Sequence, residues 1–361
     1  MKAIILVGGR ATRLLPLTAN TPKSLVPVVN VPILEHIIRH LGEHDIKEIV
    51  LAQGHLSQPI QEYFGDGSRF GAKIWHSYED VPLGSAGAAK NAERYLDNTF
   101  LVLNSDIISD TDFTVMLDIH RRNKAKATIA TTPVEDPTQY GLVETNTSGR
   151  VTRFLEKPKR EEVTTNMINA GAWFAEADVL SLVPPRTNFS FERNVFPQLL
   201  SSGQPMYAYA CPGYWIDMGT HEKYLQVHRD ILAGKCRRCP APSGREATRD
   251  VEAHGTALIT GAVMFGEKCS VGARSRIVGP VVMGTGCVIE DQCTVEDSVL
   301  WKNVHVGRRA TVTGSIVADN CRLEAGCTVQ NAVLADNVTV LAGAVVRAGA
   351  KIEPGTRFNG A

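Results

Sequence analysis

The stretch LVGGRATRLLPLTANTPKSL, residues 6–25, sets Gly8 and Gly9 after an apolar run and follows them with Arg13 and Lys23. Adjacent glycines expose backbone N–H groups to a phosphate. A guanidinium and an ammonium neutralise phosphate oxygens. The segment follows a strand pattern and precedes a helix pattern. It is neither the GxxxxGK[ST] of a P-loop nor the GxGxxG of a dinucleotide site. Taken alone it also reads as a solvated turn with two surface cations. Ala11 stands where a third glycine would be expected.

Up to about residue 234 the chain alternates strand and helix patterns. KAIILV, KEIVLAQ and NTFLVLNSD read as buried strands, ATIATTPV as a further strand, and VPILEHIIRHLGEHD and FTVMLDIHRRN as helices. QPIQEYFGDG reads as a helix and turn. GLVETNTSGRVTRFLEKP reads as a hairpin turning at Thr147-Ser148-Gly149. Such alternation implies a mainly parallel sheet covered on both faces, with ligands at the carboxyl ends of its strands. Residues 235–254 are polar, contain Pro and Gly, have no apolar period and read as a linker. Their CxxC pair, Cys236 and Cys239, lacks the second pair that a zinc site needs.

From about residue 255 aliphatic residues recur every six positions, as at Val271, Ile277, Met283, Ile289 and Val295. No α-helical stripe has that period. It fits a solenoid with three short strands per coil, a parallel β-helix, and its few slips read as loops. Cys269, Cys287, Cys293, Cys321 and Cys327 each lie four residues after a repeat position, as small inward-facing residues. The expected division is therefore 1–234, a linker at 235–254, and a repeat domain at 255–361.

The segments GGRATRLLPLT…PKSL, EDVPLGSAG, LNSD, YGLVE, FLEKP, NAGAWF, FERNVFPQLL and GYWIDMGT together resemble the sugar-1-phosphate nucleotidyltransferases, in that family's order and spacing across residues 1–230. The six-residue repeats resemble the left-handed β-helix of its long members. The resemblance implies a Rossmann-like catalytic domain with a mixed, mainly parallel sheet, then a left-handed parallel β-helix of hexapeptide repeats. It implies attack by a sugar 1-phosphate on the α-phosphorus of an NTP, with pyrophosphate leaving. The nucleophile is already ionised, so positioning and charge stabilisation suffice. By matching positions, Gly8, Gly9, Arg13, Lys23, Gly84 and Ser85 would meet the nucleotide. Gly141, Glu156, Lys157 and Asn169 would meet the sugar phosphate. Asp106 and Asp217 would hold Mg²⁺, whose hard oxygen preference suits carboxylates, phosphates and water. The plainer alternatives are a helix N-cap for Asp106 and a structural acid for Asp217. Three positions depart from the family pattern: Ala11 and Ser105 replace glycines, and Leu15 replaces an arginine.

Length, the FGDGSRFG segment and the short tail point within the family to GTP and mannose 1-phosphate, with thymine, uracil or adenine paired with glucose as competitors. A non-catalytic regulatory homologue is the second reading, resting on the altered loop. An acyltransferase built on His305 is the third, and the tail otherwise reads as an assembly surface for a homo-oligomer. The 38 basic and 38 acidic side chains balance, so nothing global points to nucleic acid or an anionic membrane. The N-terminal apolar run is too short for a signal peptide core or a membrane span. The chain is expected in the cytoplasm, with its eight cysteines reduced.

Overall fold

The computed structural model describes residues 1–9, 11–54, 56–239 and 251–360. Most of the stretch read as a linker, residues 240–250, lies outside the described residues. Contacts divide the chain into two compact units. One holds residues 1–10 and 34–215, the other residues 11–33 and 216–361.

In the first unit the apolar runs form strands β1 (Lys2–Leu6), β2 (Glu48–Gln53), β3 (Lys73–Tyr78) and β4 (Thr99–Asn104). A short β5 (Ile107–Ser109) follows at once. Then come β6 (Ala127–Pro133), β7 (Gly141–Thr145), β8 (Val151–Glu156), β9 (Met167–Glu176) and β10 (Met206–Ala210). The main sheet runs β8-β7-β9-β4-β1-β2-β3, with β6 joined to β9 and β10 to β6. Strands β4, β1, β2 and β3 are parallel, while β9 runs against β4 and β6. The sheet is therefore mixed with a parallel centre, as the alternation predicts. β3 was not singled out by sequence, because an edge strand with one face half wet carries little apolar signal in KIWHSY.

Helices α1 (Ile33–Glu43), α2 (Ser57–Phe64), α3 (Gly84–Asn91), α4 (Phe113–Arg122) and α5 (Phe196–Ser201) accompany the sheet. Trp173, Phe100, Phe174, Phe191 and Phe196 are fully buried, and Trp173 meets Phe191 and Phe196 edge to face.

In the second unit the repeats form a left-handed parallel β-helix of three sheets, with seven, six and six strands. Strand Val251–Ala253 already pairs with Cys269–Val271, so the first coil begins inside the stretch read as linker. Ser270 pairs with Val288, 18 residues on, but Val288 pairs with His305, 17 residues on. The slips in the six-residue period are thus not loops. They are five-residue steps between buried positions, Val295 to Leu300, Val312 to Val317 and Val329 to Leu334, one in each 17-residue coil, while the first and last coils keep 18 residues. The five repeat-domain cysteines are buried as expected. Four of these thiols donate to backbone carbonyls, among them Cys269 Sγ to Gly284 O at 3.1 Å and Cys287 Sγ to Trp301 O at 2.9 Å.

One outer face of this solenoid is apolar. Met264, Val282, Val299, Ile316 and Val333 stack in register, and all are buried. Helix α6 (His221–Leu232) lies against this face. Its Leu225, His228, Arg229 and Leu232 line a small cleft with Pro280, Val282 and Val299. Arg229 grips Asp297 with two hydrogen bonds, at 2.8 and 2.5 Å.

Candidate active site

The carboxyl ends of the parallel strands carry the first set of residues. Strands β1, β2 and β4 end level, with Leu6 paired to both Ala52 and Asn104. Gly8 and Gly9 follow β1. Asp106 sits in the two-residue turn between β4 and β5, where its side chain starts no helix. Asp112 instead caps α4, accepting from Thr114 N and Val115 N, both at 3.0 Å. The N-cap alternative for Asp106 is therefore excluded.

Glu79, just past β3, is a residue that sequence reasoning missed. A Cβ on Gly8 would lie 2.7 Å from its Oε1, so the carboxylate packs against the glycine turn. Glu79 Oε2 accepts from Leu83 N at 3.2 Å, and burial pushes its carboxyl up from the usual range. The only available signal was its place three residues ahead of PLGS.

Gly84 begins α3 with φ +72°, and a Cβ there would stand 2.7 Å from Phe189 O. The Ser85 hydroxyl donates to Glu192 Oε2 at 2.6 Å and accepts from Phe191 N at 2.9 Å. Glu192 lies on the π-helical turn Phe191–Val195, and Ser190 also donates to its Oε2.

Gly141 pairs with Glu156 across β7 and β8. A Cβ on Gly141 would meet Phe154 Cζ at 2.6 Å and Glu156 Oε2 at 3.0 Å. Burial, and then the charge of Glu192, push the Glu156 carboxyl up. Lys157 is left-handed at φ 51°, turning the chain out of β8, and its N–H donates to Tyr140 O at 2.9 Å. Asn169 lies beside a bulge in β9, where Asn169 Oδ1 accepts from Gly171 N at 2.9 Å.

The second unit holds the remaining residues. Ala11 is left-handed, with φ 48° and ψ 41°. It leads into the 3₁₀ turn Thr12–Leu14 that carries Arg13, while Lys23 opens the turn Lys23–Leu25. Leu15 is exposed. Asp217 is buried and lies 3.9 Å from Lys223 Nζ. Arg13 and Asp217 both approach Gly219: a Cβ there would stand 2.8 Å from Arg13 Nη2 and 3.0 Å from Asp217 Oδ1. A guanidinium and a hard carboxylate thus flank one glycine. Among the described residues no three His, Cys, Asp or Glu side chains cluster as a metal site; a Mg²⁺ site finished by phosphate and water needs only two. His305, the acyltransferase candidate, is paired with Glu290 at 3.0 Å.

Comparison with known proteins fits this geometry. A family model described as nucleotidyl transferase matches residues 2–234, and one described as the EIF2B subunit epsilon LbH domain matches residues 246–346. The chain is 35% identical over 301 residues to a mannose-1-phosphate guanylyltransferase of Mycobacterium tuberculosis, covering 80% of this chain and 82% of that protein. It is 32% identical over 327 residues to a UTP–glucose-1-phosphate uridylyltransferase of Synechocystis, covering 85% and 84%. The solved structure of HddC from Yersinia pseudotuberculosis, complexed with GMP-PN, matches 63% of this chain and 97% of its own. Its TM-score is 0.54 and its identity 25%.

Proposed function

The chain belongs to the sugar-1-phosphate nucleotidyltransferase family, and from that premise we propose that it joins mannose 1-phosphate to GTP, releasing pyrophosphate. A phosphate oxygen of the sugar phosphate attacks the α-phosphorus as the bond to the β-phosphate oxygen breaks, and that oxygen leaves on pyrophosphate. The observation that supports the reading is the approach of both Arg13 and Asp217 to Gly219. It sets a cation for phosphate oxygens beside a carboxylate.

Arg13 and Lys23 neutralise the triphosphate and the departing pyrophosphate, where charge builds as the bond breaks. Gly8 and Gly9 offer backbone N–H groups to the phosphates. Lys157 takes the sugar phosphate, and Gly141, Glu156 and Asn169 meet sugar hydroxyls. The carboxylates of Asp106 and Asp217 fit Mg²⁺, a hard ion that prefers oxygen; bound, it would offset phosphate charge. The remaining groups hold both reactants in line, and effective concentration does much of the work.

Guanine and mannose are favoured by the Mycobacterium tuberculosis relative's name and by the guanine nucleotide bound to HddC. Uracil with glucose competes through the Synechocystis relative. The proposal keeps the chain a homo-oligomer in the cytoplasm, acting on small phosphorylated substrates. It is tested by a matrix of four NTPs against mannose and glucose 1-phosphates, read by pyrophosphate release with Mg²⁺. Preference for another pair changes the substrates, and no turnover with any pair makes the regulatory homologue the better reading.

A further inference from the structure

Residues 11–33, which carry Arg13 and Lys23, hold little structure of their own. They contain two 3₁₀ turns and one hairpin of two-residue strands. Three of their non-glycine residues are left-handed: Ala11, Val29 and Asn30, at φ 48°, 43° and 67°. Such backbone is unfavourable, most of all for β-branched Val29, and persists only where the surroundings over-determine it.

Here the surroundings are α6 and the solenoid. His221 Nε2 meets Leu14 O at 3.0 Å. Asn30 Nδ2 donates to Met283 O, on a solenoid strand, at 2.8 Å. Tyr224 OH donates to Pro27 O at 2.6 Å, and the solenoid's Trp301 donates its indole N–H to that same hydroxyl at 2.8 Å. An indole N–H can only donate and a carbonyl only accept. The Tyr224 proton therefore has one direction, toward Pro27. Tyr224 and Trp301 are both buried, so no water replaces either bond at low cost. From Pro27 the chain runs straight back into the Lys23 turn, which is closed by Leu25 N to Pro22 O at 2.8 Å and Val26 N to Lys23 O at 3.1 Å.

We propose that Trp301, acting through Tyr224, is a positioning residue for the NTP: this relay from the β-helix to Pro27 holds the turn that presents Lys23. The solenoid is then part of the nucleotide-binding apparatus as well as a surface for assembly. The inference rests on the reading that residues 11–33 bind the NTP phosphates.

The test uses full-length Trp301→Phe and Tyr224→Phe, each of which removes one hydrogen-bonding group and keeps an aromatic ring. KM for the NTP should rise about tenfold in each, with kcat and KM for the sugar phosphate within about twofold. The double variant should be no worse than the worse single, because the two groups share one relay. Val346→Ala, in the solenoid core at its far end, serves as the stability control. It should lower the melting temperature and leave KM for the NTP unchanged. An unchanged NTP KM in both relay variants, or an equal rise in the control, overturns the proposal. If the wild-type chain turns over no substrate pair, the functional reading falls separately. Amide exchange at Leu25 and Val26 then decides: exchange roughly tenfold faster in the relay variants than in wild type supports the relay, and unchanged exchange overturns it. Should Trp301→Phe fail to fold, Tyr224→Phe alone decides.

Discussion

The Thr18 hydroxyl donates to the carbonyl of Ala11 at 3.0 Å, closing a turn whose first residue is left-handed. Leu14 N donates to the same carbonyl, also at 3.0 Å. Two hydrogen bonds thus hold Ala11 in a conformation that glycine adopts without steric cost. Ala11→Gly should stabilise the chain by up to about 1 kcal/mol, while kcat/KM for the NTP holds or rises several-fold. Thermal melts and steady-state kinetics check both. A tenfold loss of NTP use would show that the methyl does more than strain its own backbone. Arg13→Ala should lower kcat/KM far more, since it removes charge from the departing pyrophosphate.

Asp106→Asn and Asp217→Asn should each lower kcat by about two orders of magnitude or more and weaken the dependence of rate on Mg²⁺, with the circular dichroism spectrum unchanged. Near-normal turnover with the same metal dependence in either variant would remove that residue from the assignment.

Glu156→Gln should separate stability from function. Burial and the nearby charge of Glu192 disfavour the Glu156 carboxylate, so the neutral variant should melt at the same temperature or higher. KM for the sugar phosphate should rise about tenfold, because a charged acceptor for hydroxyl groups is lost. A lower melting temperature with unchanged KM would make Glu156 a structural acid instead.

Acidification should weaken the fold through its buried histidines. Burial holds the imidazoles of His120 and His221 below their ordinary pKa. Unfolded histidine takes a proton near pH 6.5, so below that pH the unfolded chain binds more protons. Stability present at pH 7 and above is then lost as pH falls from about 6.5 toward the depressed folded values. Glu79 and Glu156, raised by burial, act in the opposite sense at lower pH. Melting temperatures across pH 7.5 to 5.5 test this. His120→Gln should flatten the slope, and an unchanged slope would exonerate His120.

Short-range patterns were legible in the sequence. Strand β1 is a continuous apolar run because both faces of a central parallel strand are covered. The six-residue period survived because every coil repeats one local requirement, a small or aliphatic residue inside and a corner outside. The separate site segments could be listed in order, since each is a contiguous string.

Only the tertiary structure decided what those strings do to one another. The left-handed backbone of Ala11, the Glu79 carboxylate against Gly8 and the Ser85 hydroxyl given to Glu192 all depend on neighbours with no period linking them. The same holds for the outer apolar row Met264, Val282, Val299, Ile316 and Val333. By sequence it is simply a second aliphatic residue beside each inward one; folding stacked it in register, and α6 lies against that face. Local propensity reads one residue against the next few, whereas these contacts join positions as far apart as Asn30 and Met283. They form only when closing a long loop is repaid by burial.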